Sequence, residues 1–249
     1  MKLTVKIAFL AAGLCVALAF SSCGASYNSV KRMQKMEEGV SNPTTVEELR
    51  EAIKKYDERA LDLVTTQEQV GIWYKILGTR YLDKKMYSEA LECFQRAIEY
   101  FPDNANLYYY LAVSAGYTAH SALDYAATGT AEASLKQQRY LRLSESAYQR
   151  ALTIDPKYYR AMYGIGVLYV FELEGEAEKA IPYLEEFLRT QTKDTNGMFL
   201  LANAYCQTGE LQKAADIYDR IIDLNSNPDL TENARLNKQV VLEALYASN

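Results

Sequence analysis

The sequence predicts an all-α protein built as a stack of antiparallel helix pairs. Three observations carry this. A pattern of aromatic and small residues recurs in four units between residues 71 and 228, the first and last of them 34 residues long. Apolar residues return every three or four positions along most of the chain after residue 45. Only 5 prolines and 12 glycines occur in 249 residues, too few turn formers for a sheet of many short strands.

The elements follow in order. Residues 1–22 read as an export signal. Lys2 and Lys6 form a positive start, and Ile7 to Phe20 is an uninterrupted run of apolar and small residues. A membrane span takes about 20 apolar residues, so this run fits a secretory signal better than a transmembrane helix. Phe20-Ser21-Ser22-Cys23 resembles the bacterial lipobox, although Phe20 stands where leucine is usual. The resemblance implies cleavage before Cys23 and acylation of its sulfur. The lipid would hold the protein at the cell envelope. Gly24, in place of an inner-membrane retention aspartate, points to the outer membrane facing the periplasm. The alternative is an ordinary signal peptide cut near Ala19 or Ala25.

Residues 23–43 are polar and mixed and end in Ser41-Asn42-Pro43. They read as a lipidated tether, with a short helix conceivable near Val30 to Met36. Twenty extended residues reach at most about 70 Å. Residues 44–70 read as an N-terminal helix or half-repeat. Thr45 with Glu48 forms a capping box, and Val46, Leu49, Ile53, Tyr56, Ala60 and Val64 share one face. Thr65 with Glu68 repeats the capping pattern.

Residues 71–104 set the repeat. Tyr74, Leu77, Gly78 and Tyr81 are followed by Ala90, Phe94, Ala97 and Pro102. Small residues stand where two helices approach, large ones fill the gaps, and the proline ends the second helix. This spacing resembles the tetratricopeptide repeat (TPR), and implies a TPR-type α-solenoid. Residues 105–158 open with Tyr108, Leu111 and Ala112 and close with Ser144, Tyr148, Ala151 and Pro156. They hold an insert of about twenty residues near 119–138, which either lengthens both helices into a hairpin with a turn near Gly129 or folds over the groove as a lid. Asp124 and Tyr125 are its candidate contact residues. Residues 159–194 carry Met162, Ile165, Gly166 and Tyr169, then Ala180, Leu184 and Phe187 after two extra residues. Residues 195–228 carry Met198, Leu201, Ala202, Tyr205, Ala214, Tyr218 and Ile221. Residues 229–249, with Ala234, Val240, Val241 and Leu245, read as a C-terminal capping helix.

The TPR resemblance also implies a partner site on the concave face of the first helices. Carried across, it names Asn106, Tyr109, Tyr117, Tyr163, Phe171, Phe199 and Asn203, beside positions such as Arg160, Asn196 and Gln207. A protein or peptide partner would suit this aromatic, amide-rich groove. The alternatives are that these aromatics pack on one another, or that Tyr109, Tyr117, Tyr163 and Phe171 enclose an apolar solute under the insert. In that second case the protein would be a ligand-binding component associated with a transporter.

Other chemistries have little to stand on. A formal charge of −5 disfavours nucleic-acid binding. His120 is the single histidine, so neither a multi-histidine metal site nor a catalytic triad is expected. Gly164-Ile165-Gly166 lies inside a helix and reads as packing. Glu172, Glu174, Glu176 and Glu178 read as a solvated turn without calcium-loop spacing. Cys93 and Cys206 fall in distant repeats and read as apolar fillers, not a disulfide. No enzyme activity and no cofactor are expected.

Overall fold

A computed structural model describes residues 46–124 and 131–247. The signal, Cys23, the tether, Tyr125, the turn near Gly129 and the side chain of Asp124 lie outside the described residues. Nine α-helices occur among those described. They are α1 (Val46–Asp83), α2 (Tyr87–Tyr100), α3 (Ala105–Asp124), α4 (Ala131–Ile154), α5 (Tyr159–Val167), α6 (Ile181–Thr190), α7 (Thr195–Gln207), α8 (Leu211–Leu224) and α9 (Pro228–Ala247). No strand occurs among the described residues. The chain divides into two units, 1–66 and 67–249, at a point within α1.

In the first unit, Thr65 does not start a helix as its spacing suggested. Its hydroxyl donates to the Leu61 carbonyl at 2.9 Å, and that of Thr66 to the Asp62 carbonyl at 2.7 Å. These are bonds one turn back inside a helix, open to any threonine there. On the apolar face of this segment, Ile53 and Val64 are 59% and 50% exposed.

In the second unit, helices α2 to α9 each pack on the next in sequence. The repeat logic is visible in the core. Phe94 is fully buried, and a Cβ on Gly78 would sit 2.9 Å from its ring. The first helix therefore needs glycine to lie against the second. The Gly164-Ile165-Gly166 step is packing too, since added Cβ atoms would meet Tyr148 at 2.6 Å and Leu184 at 2.5 Å.

The turn between paired helices is built the same way in three repeats. Lys85, Gly175 and Gly209 occupy the equivalent position, and all are left-handed, with φ of 60°, 77° and 80°. Glycine takes this conformation freely, whereas a residue with a Cβ is strained by roughly 1–2 kcal/mol. Lys85→Gly should therefore raise the stability of the first repeat, by about 0.5–1 kcal/mol after the entropy of glycine is deducted. An unchanged or lower midpoint in urea unfolding would contradict it.

The second repeat lacks this turn. Ala119, at the corresponding place, is fully buried inside α3, which runs on to Asp124. The helices α3 and α4 are 20 and 24 residues long, against 13 and 14 for α7 and α8. Most of the insert thus extends the two helices. Small residues let them approach: Ala112, Ala115 and Ala151 are fully buried, and Ser144 donates to the Ala112 carbonyl at 2.9 Å. The two extra residues of the third repeat are taken up before Gly175, where the first helix widens into a π turn over Leu168–Glu172. The Leu173 amide there bonds the Leu168 carbonyl, five residues back, at 2.9 Å.

Successive repeats are also tied by polar contacts. Tyr169 donates to Glu145 of α4 at 2.7 Å, and Tyr205 donates to Glu185 of α6 at 2.6 Å. Lys179 and Lys213 lie 5.7 Å and 5.2 Å over the same two rings. Burial and the carboxylate acceptor both push these phenols above their ordinary pKa.

At the C-terminal end, Thr231, Ala234 and Val241 of α9 are buried, and Lys238 grips both oxygens of Asp219 at 2.6 and 2.7 Å. Val240 is 65% exposed. It lies about 100° around the helix from Val241, so only one of the two neighbours can face α8.

Candidate functional site

The first helices of the repeats lie side by side, α3 against α5, α5 against α7 and α7 against α9. Positions that the core leaves free on these helices form the groove. Among them, residues of three successive repeats converge on one depression of about 290 Å³. It is lined by Tyr109, Tyr159, Arg160, Tyr163, Phe187, Asp194 and Asn196.

Its walls are aromatic. Tyr109 stands edge-on to Tyr158 and Tyr110, with ring centres 5.6 and 5.4 Å away. The Arg160 guanidinium lies 4.9 Å over the Tyr109 ring, an arrangement in which the ring face attracts the cation. Arg160 forms no ion pair among the described residues. Tyr163 leans on Phe187 with centres 5.5 Å apart. Burial, then the nearby Asp194 charge, raises its phenol above the ordinary value. Asp194 itself is engaged, accepting the Gly197 amide at 2.7 Å as the N-cap of α7.

The other sequence-derived groove residues are placed differently. Asn106 donates to the Tyr158 hydroxyl at 2.8 Å. Phe199 packs on Tyr218 with centres 6.0 Å apart, and Asn203 is half-buried. Tyr117 and Phe171 do not line the depression. Tyr117 is 50% exposed and stacks on Tyr87 of α2 at 4.6 Å, and Phe171, on the π turn, is 60% exposed. The structure therefore joins Tyr109 and Tyr163 and sets Tyr117 and Phe171 apart from them. Sequence reasoning did not place Tyr159, Phe187 and Asp194 in the groove. Asp194 was detectable as an N-cap residue preceding an apolar run. Phe187 comes from a second helix, and only packing brings it to the groove floor.

The acidic turn of the third repeat is more organised than a solvated run. Arg142 of α4 bonds Glu145 at 2.8 Å and also pairs with Glu176, which takes Lys179 at 2.7 Å as well. Arg142 and then Lys179 hold the Glu176 carboxyl down at about 2, from an ordinary 4.5. A depressed carboxylate stabilises the fold at pH above its ordinary value, and that contribution is lost as pH falls toward 2. Glu176→Gln should thus lower the melting temperature at pH 7, with the difference from wild type closing as pH falls from 4.5 to 2. A constant difference across that range would rule the pair out as its cause.

His120 meets Glu172 at 3.0 Å across α3 and the π turn. Among the described residues no group of three or more His, Cys, Asp or Glu side chains is placed to hold a metal ion. Cys93 and Cys206 are free, and burial raises both thiols. No helix among the described residues is long and apolar enough to cross a membrane.

Comparison with known proteins agrees with the repeat fold. Residues 78–114 match the family described as TPR repeat, and residues 173–231 the one described as Tetratricopeptide repeat. A TPR repeat-containing protein of Borreliella burgdorferi is 24% identical over 207 residues, spanning 81% of this chain and 85% of its own. Among solved structures, YrrB, a TPR protein with an unusual peptide-binding site, aligns at TM-score 0.51 and 22% identity over 76% of this chain and 84% of its own. A MamA double mutant from strain RS-1 aligns at TM-score 0.52 and 14% identity, over 72% and 96%. The fold is thus an α-solenoid of TPR type, and such repeats serve as interaction scaffolds.

Proposed function

We propose that this protein is a lipid-anchored TPR scaffold that binds a protein or peptide partner in its groove at the bacterial envelope. The observation that carries the partner site is the depression in which Tyr109, Arg160, Tyr163 and Asn196 meet from three repeats. Aromatic walls with a few polar groups suit an extended peptide that places one side chain in the depression. A peptide-binding site in YrrB, on the same fold, is consistent with this reading. The anchor rests on the Phe20-to-Cys23 lipobox, and two or more acyl chains suffice for stable attachment.

Photo-crosslinking residues placed at Asn196 and Tyr159, both exposed on the rim, should trap a partner in cells. The same residue at Glu243 on α9 should not. Equal adducts from all three positions would sink the groove assignment. For the anchor, Cys23→Ser should move the protein to the soluble fraction, and continued membrane attachment would refute lipidation. The solute-binding reading is less well supported, because Tyr117 and Phe171 stand apart from the depression that holds Tyr109 and Tyr163.

A further inference from the structure

Charge is divided unevenly between the two helices of each repeat. The first helices that line the groove, α3, α5 and α7, carry only two Asp, Glu, Lys or Arg residues between them, Asp124 and Arg160. Asp124 closes α3, at the end away from Tyr109. A second helix such as α2 holds Glu89, Glu92, Arg96 and Glu99 in 14 residues. Arg160 is thus an isolated cation on otherwise uncharged helices. It also differs from other arginines of the array. Arg96, Arg142, Arg150, Arg189 and Arg235 each lie within 3.4 Å of a carboxylate, and Arg160 meets none among the described residues.

We propose that the group this depression receives is a side-chain carboxylate: the partner is an extended segment bearing an aspartate or glutamate, held by Arg160 beside an apolar residue that rests on Tyr163 and Phe187. The inference rests on the groove reading above and names the chemistry of its partner. Arg160 is exposed, and its guanidinium lies over the Tyr109 ring. A guanidinium stacked by its face keeps the N–H groups of its edge, which grip a carboxylate in two parallel bonds. Tyr110 takes at most one of these donors. The acids in the turns before the three helices are already engaged. Asp103 pairs with Arg150 at 3.4 Å, Asp155 accepts the Lys157 amide at 3.0 Å, and Asp194 accepts the Gly197 amide at 2.7 Å. Asp194 also sits at the positive end of α7, which offsets its charge. Lys157 and Lys193, in the turns that lead into α5 and α7, pair with no carboxylate among the described residues. On a chain of formal charge −5, an acidic segment meets like charge over much of the surface and attraction here, which favours this site over others.

The exported chain bearing Cys23→Ser would be used to select binders from a phage library of short random peptides, each joined to the coat protein through its C-terminus. The recovered sequences should share an aspartate or glutamate at one position, next to an apolar residue. A synthetic copy blocked at both ends should lose affinity roughly tenfold or more when that acid becomes its amide. Arg160→Gln should lose a similar factor and no longer distinguish acid from amide. Arg160→Glu should prefer lysine at the same position, a reversal that misfolding cannot produce. Sequences without a recurrent acid, or equal binding to wild type and Arg160→Gln, would overturn the proposal. So would a synthetic peptide that binds only with a free C-terminal carboxylate. Asn196→Trp, which fills the depression from an exposed position, then separates the two readings. If it abolishes binding, the groove stands with a partner of other chemistry. If it does not, the groove assignment falls as well. A library that yields no binder would overturn both.

Discussion

Phe94→Ala is expected to lower the unfolding free energy by about 3–5 kcal/mol, the range for removing a fully buried phenylalanine. The ring has no exposed surface. It stacks on Tyr110 of α3 with centres 5.2 Å apart and fills the space left by the missing Cβ of Gly78 on α1. One side chain therefore joins three helices, and the chain has little freedom to collapse around the cavity. Stability in a stacked array is close to a sum of repeat and neighbour terms, so the loss should fall on the first repeat. Trp73 emission, which reads α1, should change at lower urea than the far-UV signal, which reads all helices. A single coincident transition shifted by less than about 1 kcal/mol would contradict the packing described.

Gly166→Ala should be the next most damaging change, at about 1–3 kcal/mol. A Cβ there would lie 2.5 Å from Leu184 Cδ2 and 2.9 Å from its Cγ, and Leu184 is itself fully buried. The branch point of the leucine cannot swing away, so α5 and α6 must separate. This cost exceeds the roughly 1 kcal/mol that alanine gains over glycine in a helix. Gly116→Ala is the internal control. Within 4 Å its Cβ would meet only Ser144 Oγ, at 3.7 Å, so helix propensity should dominate and raise stability by up to about 1 kcal/mol. Thermal unfolding of both variants distinguishes the cases. Equal effects would mean that the two glycines are not in different packing environments.

The fold was largely readable because TPR packing is written in local spacing. Gly78, Ala90, Phe94 and Ala97 are neighbours in sequence and in space, so their order along the chain already describes the contact. The same holds for Met198, Leu201, Tyr205, Ala214 and Tyr218. Thr65 was misread for a physical reason. A threonine followed three residues later by glutamate caps a helix only if the backbone has left the helix, and spacing does not carry that information. Lys85 was unreadable in the same way, since nothing about lysine announces a left-handed backbone. Val240 and Val241 are adjacent apolar residues, and only the docking of α9 on α8 decided which faced inward.

The groove was readable in part. Transferred repeat positions selected Tyr109 and Tyr163, which line the depression, together with Tyr117 and Phe171, which do not. Each of the first pair is the fifth residue of its helix, where the repeat geometry is regular. The second pair sits where that geometry departs, at the lengthened α3 and the π turn after α5.

By itself, then, the sequence determined the all-helical class, the repeat length, the small-against-large packing of each helix pair, and the motif at Cys23 from which the anchor is proposed. These depend on residues close together along the chain. Only the tertiary structure decided that Phe187 and Asp194 join Tyr109 and Arg160 in one depression, and that Leu77 lies open where Leu111, Ile165 and Leu201 are closed. Those outcomes depend on which helix comes next in the stack, and a repeat pattern says the same thing of every repeat, including the one with no neighbour.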